Sequence, residues 1–167
     1  MPRTPIQGLA FLLGFWLALT LAPWSAAAES GGQAFAELEQ RLHHAVNAVR
    51  AERHLIPLER RTNLDAVARA HSQDMARRGY FAHRNPEGEV AVQRLARAEL
   101  GDFTLAAENL GSTSRPDPTR EIVGAWLASE VHRKNLHAPP FNATGIGIAR
   151  AADGSLLYTQ VYVTYPR

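Results

Sequence analysis

Two strand-like segments near the C-terminal end constrain the fold more than any other feature of this sequence. Residues 144–150 and 156–164 have the composition of β-strands, and Ala152, Asp153 and Gly154 between them predict a tight turn. In the second segment Leu, Thr and Val alternate with Tyr and Gln, so both faces carry large side chains. A strand with two bulky faces is covered on both sides. The chain before the hairpin must therefore supply helices that sandwich an antiparallel sheet.

Four segments that precede this hairpin have the spacing of helices. Between residues 35 and 53, apolar side chains recur at three- and four-residue intervals. Thr62 or Asn63 can cap a second helix, which ends at Gly79 because glycine readily adopts the left-handed conformation of a helix end. A third helix is predicted over residues 90–100. Its predicted inward side chains are Val92, Leu95 and Ala96.

The fourth helix is predicted to begin with Thr119 as its cap and to continue through a run of apolar residues. Residues 104–110, between the third helix and the fourth, fit neither the helical nor the strand pattern clearly. The fold class that follows is α+β, with the helices first and the antiparallel hairpin last.

The N-terminal segment has the pattern of a secretory signal. Arg3 precedes an apolar run over residues 9–21, and three alanines at residues 26–28 offer the small side chains that a signal peptidase needs. The run is shorter than the roughly 20 residues of a membrane-spanning helix. We therefore predict that residues 1–28 are a cleaved signal peptide; a retained N-terminal anchor is the alternative.

This signal predicts a secreted or periplasmic protein. The remaining chain, about 140 residues, suffices for one domain, which we assign to residues 35–167 after a short polar leader at residues 29–34. No cysteine is present, so thiol catalysis, thiolate metal sites and disulfides are excluded. Arginines are spread among carboxylates without the basic stripe typical of nucleic-acid binding. We expect no nucleic-acid partner, no membrane span after signal cleavage, and a monomer.

Three ordered motifs carry a resemblance to a known family. They are FAHRNPEG at residues 81–88, AAENLG at residues 106–111 and WLASEVHRKNLHAPPFNATGIGIA at residues 126–149. Together they resemble the bacterial branch of the CAP superfamily, which includes cysteine-rich secretory proteins, insect venom antigens and plant pathogenesis-related proteins. The resemblance implies the CAP (SCP-like) fold, a three-layer αβα sandwich with a small antiparallel sheet between helices.

The resemblance also implies a cleft formed by residues that are far apart in sequence. His83 and His132 correspond to two histidines that bind Zn²⁺ or another divalent cation in several relatives. Glu108 corresponds to a glutamate that orients water or a ligand and that is a possible catalytic base. Asn109 is expected to fix the loop backbone beside Glu108, so that the carboxylate points into the cleft.

One position departs from the family pattern. Eukaryotic members place a second glutamate three residues after the tryptophan of the fourth helix, whereas Ser129 stands three residues after Trp126 here. Glu130 follows, but a one-residue step turns a helical side chain by about 100°. Ser129 and Glu130 are therefore both candidates for the edge of the cleft. A catalytic pair of Ser129 and His132 is disfavoured, because no nucleophile-elbow motif accompanies either residue.

Other polar and aromatic residues have structural interpretations. His71 falls on the apolar face of the second helix, which predicts a hydrogen-bonded core histidine. Asn47 and Arg50 are expected to tie the first helix to a loop. Trp126 is expected to anchor the core. Surface positions are the default for His43, His44, His54 and His137.

Three functions remain open from the sequence. The first is an exported binding module whose cleft holds a divalent cation and an extracytoplasmic ligand, such as a lipid, a sterol or a component of the cell envelope. The second is a metal- or Glu/His-dependent hydrolase acting on peptide or cell-wall substrates, with Glu108 activating a water. The third is a structural or signalling domain in which the cleft has no role. The absence of the second glutamate favours the first.

Overall fold

The structure, a computed structural model, describes residues 24–166 and the side chains from residue 32 onward. Its elements in chain order are α1 (Trp24–Ala51), β1 (Glu59–Arg60), α2 (Thr62–Arg78), α3 (Ala91–Arg97), β2 (Leu105–Thr113), α4 (Pro118–Ala128), α5 (Glu130–Leu136), β3 (Ala143–Arg150) and β4 (Leu156–Thr164). No helix among the described residues is long and apolar enough to cross a membrane. The predicted signal peptide lies mostly outside the described residues, so its cleavage stays a prediction.

The first helix is longer than its apolar spacing predicts. It begins at Trp24 and runs without a break through residues 29–34, the segment expected to form a separate leader. That segment contains no proline, and a helix nucleated in a long periodic stretch extends readily into adjoining residues. The leader is therefore part of α1 in its secondary structure.

A four-stranded sheet with the order β1-β3-β4-β2 forms the middle layer. The predicted hairpin is confirmed, with β3 antiparallel to β4. The ambiguous stretch at residues 104–110 becomes most of β2, which pairs antiparallel with β4 along all nine of its residues. The short strand β1 adds a parallel pair to β3, so the sheet is mixed and not purely antiparallel. β2 lies at the edge of the sheet, and it carries Glu108 and Asn109 of the candidate site.

The sheet is covered on both faces, which confirms the sandwich. A Cβ added at Gly145 or Gly147 would lie 2.1 or 2.0 Å from backbone atoms of α2, so glycine at these positions lets α2 pack directly on β3. The intervening Ile146 and Ile148 point to the opposite face and join a core that includes Trp126 of α4 and apolar residues of α1. The three layers are therefore α2, the sheet, and α1 with α4.

Two helix details differ from the prediction. Asp117, not Thr119, caps α4: its Oδ1 accepts a hydrogen bond from the backbone N–H of Arg120 at 3.3 Å, and Pro118 begins the helix. The fourth helix also ends at Ala128, because Ser129 adopts an extended conformation that separates α4 from α5. His132 therefore lies on a short helix of its own.

The buried face of α3 also differs from the predicted one. Val92 is 45% exposed and Ala96 is exposed, whereas the buried residues are Ala91, Arg94 and Leu95. The helix is rotated from the predicted orientation because the Arg94 guanidinium reaches a buried carboxylate, described below. Leu95 alone matches the prediction.

Arg50 fastens the loop that follows α5. Its side chain is fully buried and donates hydrogen bonds to the carbonyls of Leu136, Ala138 and Phe141 at 2.9–3.0 Å. Asn47, one turn earlier, is hydrogen-bonded to both the N–H and the C=O of Leu58. The prediction that these two residues tie α1 to loops is confirmed, and the consequence is a fixed position for α5.

Candidate functional site

The centre of the candidate site is a buried carboxylate between a histidine and an arginine. Glu108 lies on β2 with only 4% of its side chain exposed. Its Oε1 accepts a hydrogen bond from Nδ1 of His83 at 2.9 Å, and its Oε2 lies 2.5 Å from Nη2 of Arg94. His83 is itself 52% exposed, since it lies on the loop between α2 and α3. The buried Glu108 carboxylate thus orients the imidazole of His83, which lies at the protein surface.

Arg94 is a site residue that sequence reasoning missed. Its guanidinium also donates to the carbonyls of His83 and Glu89 at 3.1 and 3.0 Å, so it fixes the backbone that carries the histidine. The signal for its role is positional. Arg94 stands three residues after Ala91 and one before Leu95, which is the inward face of a helix that begins at Ala91.

The edge strand β2 brings the two sides of the sandwich together. Glu108 faces α3, whereas the next side chain, Asn109, faces the other layer. Asn109 Nδ2 donates to the backbone carbonyl of His132 at 3.1 Å and to the Tyr162 hydroxyl at 3.2 Å. Its Oδ1 accepts from Asn135 Nδ2 at 2.8 Å. The expectation that Asn109 fixes a loop is therefore corrected: it lies in a strand and fixes α5.

His132 approaches the strand edge from α5. Its Nδ1 lies 2.9 Å from the Ser129 hydroxyl, so the extended residue that ends α4 also orients this ring. Burial and, secondarily, the nearby charge of His83 lower the pKa of His132. The imidazole is therefore neutral near pH 7, the form in which histidine binds metals.

Glu130 does not join this group. Its side chain is 69% exposed and pairs with Lys134 at 2.8 Å, one turn along α5. The helix begins at Glu130, whose side chain points to solvent, whereas the backbone carbonyl of His132 accepts a hydrogen bond from Asn109 on β2. Of the two candidates for the missing glutamate, Ser129 contacts a site histidine and Glu130 does not.

A cavity of about 220 Å³ extends from His132 along β2. It is lined by residues of α4 and the end of β2, and its lining includes Ser129, His132 and Glu121. Trp126 forms part of the wall and donates its Nε1–H to the Leu110 carbonyl at 2.7 Å, which confirms its role as a core anchor. This cavity has room for a small organic group beside His132.

His83 and His132 are the candidate ligands for a metal. The Nδ1 atoms of His83 and His132 are engaged, and within the described chain no hydrogen bond engages either Nε2. Residues 24–166 contain no group of three or more His, Cys, Asp or Glu side chains that could hold an ion. Glu108 is held by Arg94 and His83 and is not a third ligand. Two imidazoles are fewer than the three protein ligands of an open zinc site or the four of a structural one, so a cation here would take its other ligands from water or a bound molecule.

The remaining histidines have structural surroundings. His71 is 2% exposed, and its Nε2 donates to the Ala82 carbonyl at 3.1 Å, as predicted for a core histidine. His43 is only partly exposed and bonds to the Leu58 carbonyl at 2.8 Å, which corrects its expected surface position. His44 and His54 are exposed, and His137 is partly exposed.

Comparison with known sequences identifies one family. The family model described as CAP, the cysteine-rich secretory protein family, matches residues 43–164. The chain is similar to the Bacillus subtilis protein YkwD, with 33% identity over 125 residues, which are 75% of this chain and 46% of the relative. It is also similar to the B. subtilis membrane protein YlbC, with 30% identity over 75% of this chain and 34% of the relative. The chain thus spans less than half the length of both relatives.

Solved structures show the same architecture. An extracellular protein from Bacillus anthracis that contains an SCP domain is 30% identical, with a TM-score of 0.71 over 81% of this chain and 43% of that one. An outer surface protein of Borrelia burgdorferi is 21% identical, with a TM-score of 0.71 over 78% of this chain and 94% of that one. The second likeness shows the fold alone.

Proposed function

The chain belongs to the cysteine-rich secretory protein (CAP) family, and from this premise we propose that it is an exported module whose cleft binds a divalent cation and an extracytoplasmic ligand. His83 and His132 hold the cation, and a lipid, sterol or cell-envelope component lies beside them. Export is supported by the signal-like N-terminal segment and by the likeness to an extracellular SCP-domain protein.

One observation carries this proposal: the Nδ1 atom of each cleft imidazole is held by a side chain of the protein. Glu108 holds His83 and Ser129 holds His132, at 2.9 Å in both cases. A carboxylate on one ring nitrogen is the usual arrangement behind a metal-bound histidine, because it fixes the tautomer and leaves the other nitrogen for the ion. A bound divalent cation would supply coordination positions that oxygen or nitrogen atoms of a ligand can occupy.

The hydrogen bonds of the Glu108 carboxylate favour a binding function over one in which this carboxylate activates water. Both of its oxygens are engaged, one by a buried guanidinium and one by His83. A general base must be within reach of the proton that it removes, and Glu108 is disfavoured in that role because its side chain is only 4% exposed and both oxygens already accept hydrogen bonds. The function of Glu108 is then to orient His83.

A hydrolase acting on peptide or cell-wall material is the second candidate, and the His83–Glu108 pair favours it. A carboxylate on Nδ1 also orients histidines that act as general bases through Nε2. Ser129 does not complete such a machinery, because its hydroxyl contacts Nδ1 of His132, whereas a nucleophilic serine in the Ser-His-Asp arrangement contacts Nε2. In this candidate His83 would act on water directly.

Calorimetric titration of Zn²⁺, Ca²⁺ and Mg²⁺ tests the proposal. We expect one Zn²⁺ per chain and no binding after the double substitution His83→Ala/His132→Ala. His44→Ala is the matched control, because it removes an exposed histidine on α1 that lies outside the cleft. Glu108→Gln keeps both ligands but weakens their orientation, and such changes typically reduce metal affinity by about 10–100-fold. Equal Zn²⁺ binding by the wild type and the double variant would exclude the cleft as the metal site.

A further inference from the structure

The outer edge of β2 is closed by side chains at two positions. β2 is the last strand of the sheet, so β4 pairs with one of its sides only. On the other side, Asn135 Nδ2 donates to the carbonyl of Glu108 at 3.3 Å. Two residues further on, Trp126 Nε1 donates to the carbonyl of Leu110 at 2.7 Å. The backbone groups of successive residues alternate between the two sides of a strand, so the N–H and C=O of Ser112 also point away from β4.

At Ser112 the same edge is open. The residue is exposed, and no group of the described chain covers its outward N–H or C=O with a hydrogen bond. An exposed edge residue of this kind is a template for another strand, and an antiparallel segment can exchange both hydrogen bonds through a single residue. An extended peptide has this pattern of donors and acceptors. The carbonyls of Glu108 and Leu110 are already engaged, so pairing is confined to Ser112 and a full fifth strand cannot form.

This open edge borders the cavity beside His132. Ser112, Glu121 and Ser129 line the same space of about 220 Å³. Glu121 lies in the first turn of α4 and Ser129 is the C-terminal cap of that helix, so the rise per helical residue separates them by about 12 Å. Ser112 lies at the Glu121 end, because only residues 114–117 connect β2 to α4. At about 3.3 Å per residue, three or four residues of an extended peptide span the distance from Glu121 to Ser129.

The charge of the cavity indicates which end of a peptide lies beside Ser112. Among the described residues that line the cavity, Glu121 alone is an acid, and no Lys or Arg joins it there. Its side chain is exposed and makes no ion pair within residues 32–166. A glutamate in the first turn of a helix is favourable without any ligand. Next to a free strand edge, however, the unpaired carboxylate attracts an ammonium group and repels a carboxylate or a phosphate.

We propose that this cavity binds a short extended peptide by its free N-terminus. The terminal ammonium pairs with Glu121, and the second residue of the peptide exchanges two backbone hydrogen bonds with Ser112. The peptide runs antiparallel to β2, so its carboxyl end points toward Ser129 and His132. A divalent cation there can accept a carbonyl or carboxylate oxygen of that end. The inference specifies the ligand class of the proposed function, and only the contact with the cation rests on that proposal.

The test is a titration of the protein with tri-alanine, with Zn²⁺ and with EDTA, followed by the NMR resonance of the Ser112 backbone amide. We expect a saturable shift in both conditions, with a dissociation constant of about 0.1–1 mM for a ligand of this size. N-acetyl-tri-alanine lacks the ammonium, and tri-alanine with an N-methyl group on its second residue lacks the donor to Ser112. Each should bind about tenfold more weakly, the effect of one lost hydrogen bond. The absence of a saturable shift with tri-alanine, or equal binding of the acetylated peptide, would overturn the proposal.

Substitutions in the protein separate the ammonium contact from the metal site. Glu121→Gln should weaken tri-alanine binding about tenfold and leave the affinity for the acetylated peptide unchanged. Glu37→Gln is the matched control, because it neutralises an exposed glutamate on α1 outside the cavity. Unchanged tri-alanine binding by Glu121→Gln would refute the ammonium contact. His83→Ala/His132→Ala should keep the Ser112 shift at the affinity measured in EDTA. Zn²⁺ binding without a peptide shift would therefore refute this inference alone, whereas a peptide shift without Zn²⁺ binding would refute the cation proposal alone.

Discussion

The buried pair of Arg94 and Glu108 is the residue-scale feature on which the candidate site depends. Their side chains are 5% and 4% exposed, so each charge is removed from water and compensated by the other. Such a pair contributes little net stability compared with apolar residues of the same shape, but removal of one partner leaves an uncompensated buried charge. The pair therefore makes the position of His83 sensitive to a single substitution.

We expect Arg94→Leu to lower the free energy of unfolding by about 3–5 kcal/mol, because it leaves the Glu108 carboxylate buried without its counterion. The double variant Arg94→Leu/Glu108→Leu should recover much of that loss. Urea unfolding measures all three proteins. Arg97→Leu is the control, since its side chain is 67% exposed and its ion pair with Glu89 should contribute at most about 1 kcal/mol. If the double variant were no more stable than Arg94→Leu, the charge argument would be wrong.

At the scale of elements, the direct contact between α2 and β3 depends on glycine. A Cβ at Gly147 would lie 2.0 Å from the backbone nitrogen of Arg69, and a helix backbone cannot yield as the tip of a side chain can. We expect Gly147→Ala to separate α2 from the sheet and to cost about 1–3 kcal/mol or more of unfolding free energy.

Gly124→Ala provides the matched control for that substitution. Gly124 lies on the exposed side of α4, where an added Cβ meets nothing within 4 Å, so alanine should stabilise the helix by up to about 1 kcal/mol. Thermal unfolding of the two variants should move in opposite directions. Equal unfolding midpoints of the two variants would mean that α2 does not pack on β3 as closely as the distances at Gly147 indicate.

The elements also show which parts of the fold local sequence can predict. The hairpin, α1 and α2 are predictable because their periodicity is strong and local. β2 is not, because its Ala, Glu and Asn residues have low strand propensity and only pairing with β4 over nine residues makes them a strand. β1 has two residues and no local pattern. No local signal predicts the break at Ser129, after which Asn109 of β2 is hydrogen-bonded to the backbone of α5.

The residues of the candidate site also divide into those that the sequence predicts and those that only the structure identifies. His83, Glu108 and His132 are proposed through a family resemblance, and their spacing alone does not indicate that they lie together. Arg94 escapes sequence reasoning because an arginine at an inward helical position is identified only by its partner, which lies 14 residues away on another element. The family resemblance predicts which residues form the site, whereas the side chains that orient them, such as Arg94, are identified only from the structure.

At the scale of the whole molecule, buried histidines link stability to pH. The pKa values of His71, His132 and His137 are all lowered, and burial is the largest cause in each case. In the unfolded chain these rings titrate near the ordinary pKa of about 6.5. Between that value and the lower folded pKa values, the unfolded state binds more protons than the folded state. The free energy of unfolding must therefore rise with pH through this window.

We expect the protein to be less stable at pH 5.5 than at pH 7.5, measured by urea unfolding at constant ionic strength. The loss begins as the pH falls below about 6.5 and is complete below the folded pKa values, because there both states are protonated and the folded state carries the cost of three charged, partly desolvated rings. His71→Gln removes one of these rings and should make the dependence shallower, although the variant is less stable at every pH. Asp74 does not contribute in this window, because the Tyr80 hydroxyl holds its pKa below the ordinary value of an aspartate. A free energy of unfolding that is constant or increases on acidification to pH 5.5 would show that these rings are hydrated in the folded protein.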